Sequence, residues 1–291
     1  RRPALSVMAI FLKIVLAAAV VCFAAAVVGT LMSLRHVIRQ YTVSTDKMTA
    51  GNLRLILISD LHAMRYGKKQ EQLLSEIAAL KPDLLLFAGD VLAEDKDRAP
   101  ALELLEALGK RYPCYYVTGN HEYRSDKPDE VRAIVRSYGI TVLCGTSVLC
   151  DTACGKIRIA GIDDLQEAGF DGALAQAETA LKDDDGIFTV FLCHHPELSV
   201  RFAKEYGKAF DLALSGHAHG GQWRIPGLIN GVFAPHQGIF PEYAGGLYDL
   251  GENRTLVVGR GLGKSFPIPR IFNPPELVCI DVTASGGTHK K

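Results

Sequence analysis

The sequence lacks an excess of charge of either sign, because 32 basic side chains balance 32 acidic ones over 291 residues. The first 50 residues hold six Lys or Arg and one Asp, which leaves 26 basic and 31 acidic residues in the remainder. That remainder therefore lacks the broad positive field that binding to a phosphate backbone requires. The charge distribution thus argues against a general nucleic-acid-binding protein.

The sequence also lacks an internal repeat and the cysteine spacing of a structural zinc site. Seven cysteines are present, but none of those outside the longest apolar run forms a Cys-x-x-Cys pair. Cys150 and Cys154 flank a turn-like segment and are able to pair across a hairpin in an oxidising compartment. Free buried thiols are the simpler interpretation.

One long apolar run covers residues 14–34, with 21 residues and no charge. As a helix it is long enough to cross a bilayer, so the sequence predicts a single-pass anchor in residues 1–40. A cleaved signal peptide is the alternative, although its apolar region is usually shorter. Three Lys or Arg lie on each side of the run, so the positive-inside rule does not fix the orientation. A short basic N-terminus slightly favours an extracytoplasmic body.

After a predicted polar connector at residues 41–52, short apolar runs alternate with amphipathic segments, which is the order of an α/β fold. The predicted strands are residues 53–59, 84–88, 114–118, 156–160, 187–193 and 211–215. Helices are predicted around residues 73–77 and 102–108 and over residues 127–138 and 172–181. Short strands at 246–250, 255–258 and 277–282 predict a second sheet with more antiparallel pairing. The catalytic domain is expected to cover residues 53–283, before a disordered tail at 284–291.

Polar side chains of metal-binding types follow apolar strands at five places. They are Asp60 and His62, then Asp90, then Asn120 and His121, then His194 with His195 beside it, and finally His217 and His219. Ligands bind beyond the carboxyl ends of strands in α/β sheets, so we expect these loops to converge. A single His or Gly-Asp after a strand is usually structural, but this does not explain five of nine histidines in such positions, even with His195 left out of the count.

Two Asp, one Asn and four His form a set of nitrogen and oxygen ligands without thiolate. Such a set suits Mn, Fe or Zn better than Ca. Seven side chains exceed what one ion needs, so the sequence predicts two divalent metal ions that share a carboxylate. A pair about 3.5–4 Å apart is the usual device for in-line displacement at phosphorus.

The motifs Asp-x-His, Gly-Asp, Gly-Asn-His-Glu, a strand-end His and Gly-His-x-His, in this order, resemble the calcineurin-like metallophosphoesterase family. Gly-His-Ala-His-Gly-Gly-Gln, Gly-Arg-Gly-Leu-Gly and a late Pro-Pro-Glu resemble its bacterial membrane-anchored phosphodiesterase branch, which includes enzymes similar to UDP-2,3-diacylglucosamine hydrolases. The resemblance implies a four-layer α/β/β/α sandwich with two mixed sheets.

The resemblance also implies a role for each motif residue. It puts Asp60, His62 and His219 on one metal, Asn120, His194 and His217 on the other, and Asp90 between them. His121 would stay off the metals and stabilise the transition state or protonate the leaving oxygen, and a metal-bridging hydroxide would attack in line. Mn is the preferred metal, with Fe or Zn as alternatives. Val-Leu-Ala-Glu follows Gly89-Asp90 in place of the Asp-Arg-Gly of protein Ser/Thr phosphatases, which argues against a phosphoprotein substrate.

Residues in the late Gly- and Pro-rich loops are weaker candidates for substrate contacts. They are Trp223, Arg224, His236, Tyr243, Arg260 and Lys264. Arg260, between two glycines, is the preferred contact for a phosphate or diphosphate, and His195 is expected to support its loop.

The sequence thus predicts a membrane-anchored, two-metal phosphoesterase that hydrolyses a phosphodiester or diphosphate bond. The expected substrate is lipid-linked or belongs to the cell envelope, and a UDP-diacylglucosamine-like molecule fits. A general nucleotide or small-molecule phosphatase is the alternative, and a non-catalytic scaffold is disfavoured by the complete ligand set. The partners are then a phosphate ester and the membrane, with no nucleic acid.

Overall fold

The computed structural model describes residues 2–48, 51–92, 97–124, 128–183, 185–207, 209–263 and 268–285. Its helices are α1 (Arg2–Met32), α2 (Glu71–Leu80), α3 (Ala99–Gly109), α4 (Asn120–Tyr123), α5 (Pro128–Ser137), α6 (Leu165–Ala180) and α7 (Pro196–Lys204). Its first strands are β1 (Val37–Thr45), β2 (Asn52–Ile58), β3 (Leu84–Ala88), β4 (Cys114–Val117), β5 (Thr141–Val142), β6 (Thr146–Thr152) and β7 (Gly155–Gly161). The later strands are β8 (Phe188–Leu192), β9 (Leu212–Ser215), β10 (Phe233–Ala234), β11 (Gly238–Ile239), β12 (Gly246–Gly251), β13 (Arg254–Val258) and β14 (Glu276–Ala284).

Twelve of these strands form two mixed sheets of six strands each. The first sheet has the order β1-β14-β2-β3-β4-β5, in which β2 to β5 are parallel and β14 is antiparallel to β2. The second has the order β12-β13-β9-β8-β7-β6, with antiparallel pairs at both edges. The strands expected after residue 230 are therefore divided between the two sheets. β12 and β13 form an antiparallel edge of the second sheet, and β14 belongs to the first.

Alternation along the central strands explains how the layers pack. In β2, Leu55 and Leu57 lie in the apolar cluster between the two sheets, whereas Ile56 and Ile58 lie in the cluster under the helices. The second cluster joins the first sheet to α2, α3 and α5, and a third joins the second sheet to α6 and α7. The layers run helix, sheet, sheet, helix, which confirms the predicted four-layer α/β/β/α sandwich.

The first strand corrects the prediction for residues 37–45, which were assigned to the end of the anchor and to the polar connector. These residues form β1, which pairs in parallel with all nine residues of β14. Its pattern is irregular, because Arg39 and Gln40 interrupt the apolar positions, while Val43 is buried. The partner strand lies more than 230 residues away in sequence, so no local pattern indicated the pairing. At the other end, residues 286–291 of the predicted tail lie outside the described part of the chain.

The Met8–Met32 part of helix α1 is long and apolar enough to cross a membrane, and most of its side chains are exposed. Its last turn contacts the body of the protein. The backbone amide of Phe272 donates to the Gly29 carbonyl at 3.1 Å, and the amide of Asn273 donates to the Ser33 hydroxyl at 2.9 Å. The helix therefore ends against the loop before β14.

All seven cysteines lie among the described residues, and each is a free thiol. Cys150 and Cys154 lie on and beside the β6–β7 hairpin, with Cys154 buried. Both thiols are free, as the simpler interpretation expects, but only Cys154 is buried and Cys150 is partly exposed.

Candidate metal centre

The five motifs come together at one edge of the sandwich. Asp60, Asp90 and Asn120 follow the parallel strands β2, β3 and β4 of the first sheet, and His194 and His217 follow the parallel strands β8 and β9 of the second. Because the carboxyl ends of parallel strands share an edge, the topology alone gathers these side chains. All are buried, and each is less than 5% exposed.

Most of the gathered residues adopt a left-handed backbone conformation that residues other than glycine rarely adopt. The φ angles are 51° at Asp60, 45° at His62, 53° at Asp90, 66° at His217 and 47° at His219. Such conformations cost about 1–3 kcal/mol each and cluster at functional sites. The packing of the fold thus supports strained turns that aim these side chains inward.

Two glycines allow the backbone to approach the carboxylates. A Cβ atom at Gly119 would collide with the Asp90 carboxylate, and one at Gly216 would collide with that of Asp60. Gly119 begins the Gly-Asn-His-Glu motif and Gly216 begins the Gly-His-x-His motif. A side chain at either position would displace a carboxylate, which explains the glycine in each motif.

The gathered side chains form two clusters whose donor atoms lie within 4.8 Å of one another. One holds Asp60, His62, Asp90 and His219, and the other holds Asp90, His194 and His217. The Asp90 carboxylate is common to both: its Oδ2 lies 3.6 Å from Nε2 of His62 and 3.3 Å from Nε2 of His194. A single carboxylate between two sets of imidazoles is suited to holding a pair of metal ions.

Contacts on the far side of the imidazole rings set their orientation. Nδ1 of His194 lies 2.7 Å from the Ala88 carbonyl, so it must carry the proton, and Nε2 is left to face Asp90. Nε2 of His217 lies 2.8 Å from Nδ1 of His236, and its Nδ1 faces His194. Such outer contacts fix which nitrogen binds a metal. His195, whose ring centroid lies 3.9 Å from that of His217, is held by Asp164 at 2.7 Å.

Glu122, the last residue of Gly-Asn-His-Glu, organises the loops beneath the clusters. Its carboxylate accepts hydrogen bonds from the backbone amides of Asp90, residues 91–92 and Gly119, at 2.7–2.9 Å. The Tyr116 hydroxyl donates a further bond at 2.6 Å. Burial, together with the Asp90 charge, raises the pKa of Glu122 to about 7, and the hydrogen bonds from Tyr116, Leu92 and Gly119 oppose the rise. Each of these five groups donates to the carboxylate, so the ionised form fits this environment.

The pKa values of the histidines in the two clusters are shifted in different directions. Burial, followed by the neighbouring His195 and His194, holds the pKa of His217 well below its usual value. Burial, followed by His62 and Arg270, does the same for His219. Neutral imidazole is the form that binds metals. For His194, burial lowers the pKa, but the carboxylates of Asp90, Asp60 and Asp164 together outweigh it, so the net direction is upward.

The chemistry of the site fits divalent cations. Oδ1 of Asn120 is buried and has no hydrogen-bond partner among the described residues. An amide oxygen in that state costs about 1–3 kcal/mol unless a cation or donor satisfies it. Burial raises the pKa of the Asp60 carboxyl to about 6, with a contribution from Asp90. The two buried carboxylates lie beside His217 and His219, whose lowered pKa values favour neutral imidazole, so bound cations would balance the carboxylate charge.

A pocket of about 290 Å³ opens over the clusters. It is lined by Asp90, Asn120, His121, Arg124, His217, His219, Phe233, Pro235 and His236. His121 thus lies at the pocket and outside both clusters, and its backbone amide donates to Asp90 Oδ1 at 2.8 Å. Its Nε2 lies 3.1 Å from the Arg124 guanidinium, which can only donate, so Nε2 accepts and the ring proton is on Nδ1.

The weaker candidates are dispersed. His236 lines the metal pocket, and Trp223 lines a neighbouring cavity. Tyr243 packs edge-on against Tyr248 and donates to Glu242. Arg260 is not among the lining residues, because the carboxylate of buried Glu276 holds its Nε at 3.1 Å.

Arg224 lies beside Arg260, and burial, followed by that neighbouring charge, lowers the pKa of Arg224 to about 10. Lys264 lies outside the described residues.

Two arginines of the site were not predicted from the sequence. Arg124 follows His121 by three residues. On a helical turn this spacing brings two side chains together, so the sequence could have indicated that Arg124 lies beside His121. Arg270 is buried, donates to the Gly263 carbonyl at 2.8 Å and lies 3.4 Å from Nδ1 of His219. It lies between Pro269 and Ile271, where no motif marks it.

The chain belongs to the calcineurin-like phosphoesterase family, whose model matches residues 53–221, more than half of the chain. It is 28% identical over 244 residues to the phosphodiesterase YaeI of Escherichia coli, covering 81% of this chain and 84% of that protein. It is also 28% identical over 237 residues to the uncharacterised metallophosphoesterase Cj0846 of Campylobacter jejuni. That match covers 79% of this chain and 59% of the Campylobacter protein.

A zebrafish protein named as a transmembrane protein with a metallophosphoesterase domain is 28% identical over 239 residues, covering 79% of this chain and 53% of the zebrafish protein. The chain thus spans little more than half of two of these relatives. The family and its phosphodiesterase relative support a hydrolase that uses divalent metals, as the motifs predicted.

Proposed function

We propose that this protein is a membrane-anchored phosphodiesterase or pyrophosphatase with two metal ions. The observation that carries the proposal is the position of Asp90, whose carboxylate belongs to both clusters of donor atoms. Asp60, His62 and His219 would complete one site, and Asn120, His194 and His217 the other. When bound, the metals would neutralise the phosphate oxygens and activate water for in-line attack. We propose Mn as the native metal, with Fe or Zn as alternatives.

The remaining pocket residues have roles that follow from their positions. The Arg124 guanidinium lies at the pocket and can bind a phosphate oxygen through charge-assisted hydrogen bonds. With Nε2 accepting from Arg124, His121 would stabilise charge that develops on the leaving oxygen through its Nδ1–H; as an imidazolium, with Arg124 turned away, it would instead give that oxygen a proton. Arg124 would support this role, because its contact with Nε2 holds the ring.

We propose a lipid-linked or envelope substrate, a phosphodiester or diphosphate such as a UDP-diacylglucosamine-like molecule. Helix α1 supports this choice, since it is long and apolar enough to span a bilayer and ends directly against the catalytic body. The zebrafish relative named as transmembrane supports the anchor. The proposal places the protein in the membrane as a single-pass protein with an extracytoplasmic body.

The test uses the full chain reconstituted into lipid bilayers with Mn²⁺. Three substrates are compared: a soluble bis-aryl phosphodiester, a nucleoside triphosphate, and a nucleoside diphosphate linked to a diacylated sugar. We expect turnover of the aryl diester and the highest kcat/KM for the acylated diphosphate. A preference for the nucleotide would make the protein a general phosphatase, and no turnover of any of the three would make it a scaffold.

A further inference from the structure

Large apolar side chains are exposed beside the metal pocket. Leu228, Ile239 and Phe240 are 83%, 71% and 65% exposed. We call the whole group the apolar rim: Trp223, Ile225, Leu228, Phe233, Ile239, Phe240 and Ile268. Backbone contacts hold it together, because the amide of residue 232 donates to the carbonyl of residue 223 and β10 pairs with β11. An exposed apolar group of this size usually marks an interaction surface.

Within the rim lies a cavity of about 270 Å³ that is lined by Trp223, Val232, Phe233, Ile268 and Gln222. Gln222 is the one polar residue among them, and its amide group donates to the Ile268 carbonyl at 2.7 Å. The cavity therefore offers an incoming ligand mainly apolar contacts. Phe233 also lines the metal pocket, so one side chain forms a wall of both spaces.

The rim lies close to the end of helix α1. Trp223 is bridged to Ile271, and the next two residues, Phe272 and Asn273, bind the last turn of the helix. If α1 spans a bilayer, its end lies at the membrane surface, and the rim lies there too. Tryptophan is enriched at this depth, and Trp223 is the single tryptophan of the chain.

We propose that the cavity behind the rim binds an acyl chain of the lipid whose phosphate lies at the metal centre. The inference rests on the proposed function and names the part of the substrate that the metals do not hold. A chain attached close to the phosphate would pass Phe233 and enter an apolar space at the height of the bilayer surface. A second protein chain or a peptide on the rim would account for the exposed side chains, but not for a cavity that adjoins the metal pocket.

The first test measures KM for two phosphodiesters with the same headgroup, one with long and one with short acyl chains. The full-length protein is used in bilayers, and KM is referred to the ester concentration free in water. A methylene that leaves water for the cavity strengthens binding about fourfold, so we expect a KM at least about tenfold lower for the long-chain ester. Partition into the bilayer is the same for every variant, so the contribution of the cavity is the part of this difference that a substitution in the cavity removes. Ile268→Gln should raise this KM about tenfold and leave the rate with a soluble bis-aryl diester unchanged. Leu149→Gln is the matched control, because Leu149 is a 53% exposed leucine on β6, outside the rim.

The second test does not depend on turnover. Trp223 is the sole tryptophan, so its emission reports contact at the cavity. A non-hydrolysable diacyl diphosphonate with brominated chains, dilute in unbrominated vesicles, should quench this emission, and Ile268→Gln should weaken the quenching about tenfold. Brominated phosphatidylcholine at the same fraction should quench little.

Equal KM values for the long and short esters, with turnover intact, would overturn the acyl site and leave the proposed function standing. Absent turnover together with saturable quenching would overturn the function and support the site. Absent quenching overturns the site in either case, as does a rim-dependent dimer that excludes the analogue.

Discussion

Nε2 of His217 lies 2.8 Å from Nδ1 of His236, while Nδ1 of His217 faces Nε2 of His194 at 3.2 Å. If Nδ1 of His217 binds a metal, its Nε2 must carry the proton and donate it to His236. His236 would then hold its own proton on Nε2. The role of His236 is therefore to orient a metal ligand, and its position at the pocket allows a substrate contact as well.

Substituting His236 with Ala should weaken metal binding at one of the two sites. Loss of an outer partner of a ligating imidazole typically costs 10- to 100-fold in metal affinity, and we expect a loss of about that size. The measurement is a Mn²⁺ titration of the full-length protein, with His36→Ala as the control, because His36 pairs with Glu76 away from the pocket. Equal affinities in the two variants would show that the contact with His217 has no such role.

The order of elements and the residues of the centre were predictable because each depends on local pattern. Runs such as Leu84–Ala88 are apolar throughout, and the polar residue after each run marks a strand end. Contacts distant in sequence were not predictable. The residues around Arg260 do not indicate that its guanidinium will pair with the Glu276 carboxylate. The residues around Val37–Thr45 do not indicate that this segment will pair with β14.

His121 should contribute to chemistry without holding a metal. His121→Ala is expected to leave metal content unchanged and to lower kcat by about 10²- to 10⁴-fold. The loss should be smaller for nitrophenyl esters, whose leaving groups need no proton, than for alkyl esters. Metal analysis beside kinetics on both esters is the check. Loss of a metal ion would identify His121 as a ligand, and equal losses on both esters would rule out proton donation.

Glu122→Gln should destabilise the protein although it preserves shape. An amide cannot accept bonds from five donors, so we expect a loss of about 2–4 kcal/mol in the free energy of unfolding. The measurement is urea unfolding in detergent. Glu106→Gln is the control: Glu106 pairs with Lys110 at the surface, where the effect should stay within about 0.5 kcal/mol. Equal unfolding midpoints for the two variants would contradict the assigned role.

Membrane attachment can be separated from folding by two deletions. Removing residues 2–34 should release a soluble body that hydrolyses soluble esters, because β1 is retained. Removing residues 2–45 also takes β1 from the edge of the first sheet and should lower the thermal midpoint by several degrees or prevent folding. Cell fractionation and thermal unfolding give the results. Recovery of the uncleaved full-length chain in the soluble fraction would refute the anchor.

The shared position of Asp90 is tested most directly by counting metal ions per chain in the wild-type protein and in Asp90→Asn, beside turnover of a bis-aryl phosphodiester. Asp97→Asn, a change at an exposed carboxylate, is the control. We predict two ions per chain and turnover in the wild type and the control, and loss of nearly all activity with weakened binding of both ions in Asp90→Asn. Two tightly bound ions and near-normal turnover in Asp90→Asn would contradict a centre built on one shared carboxylate.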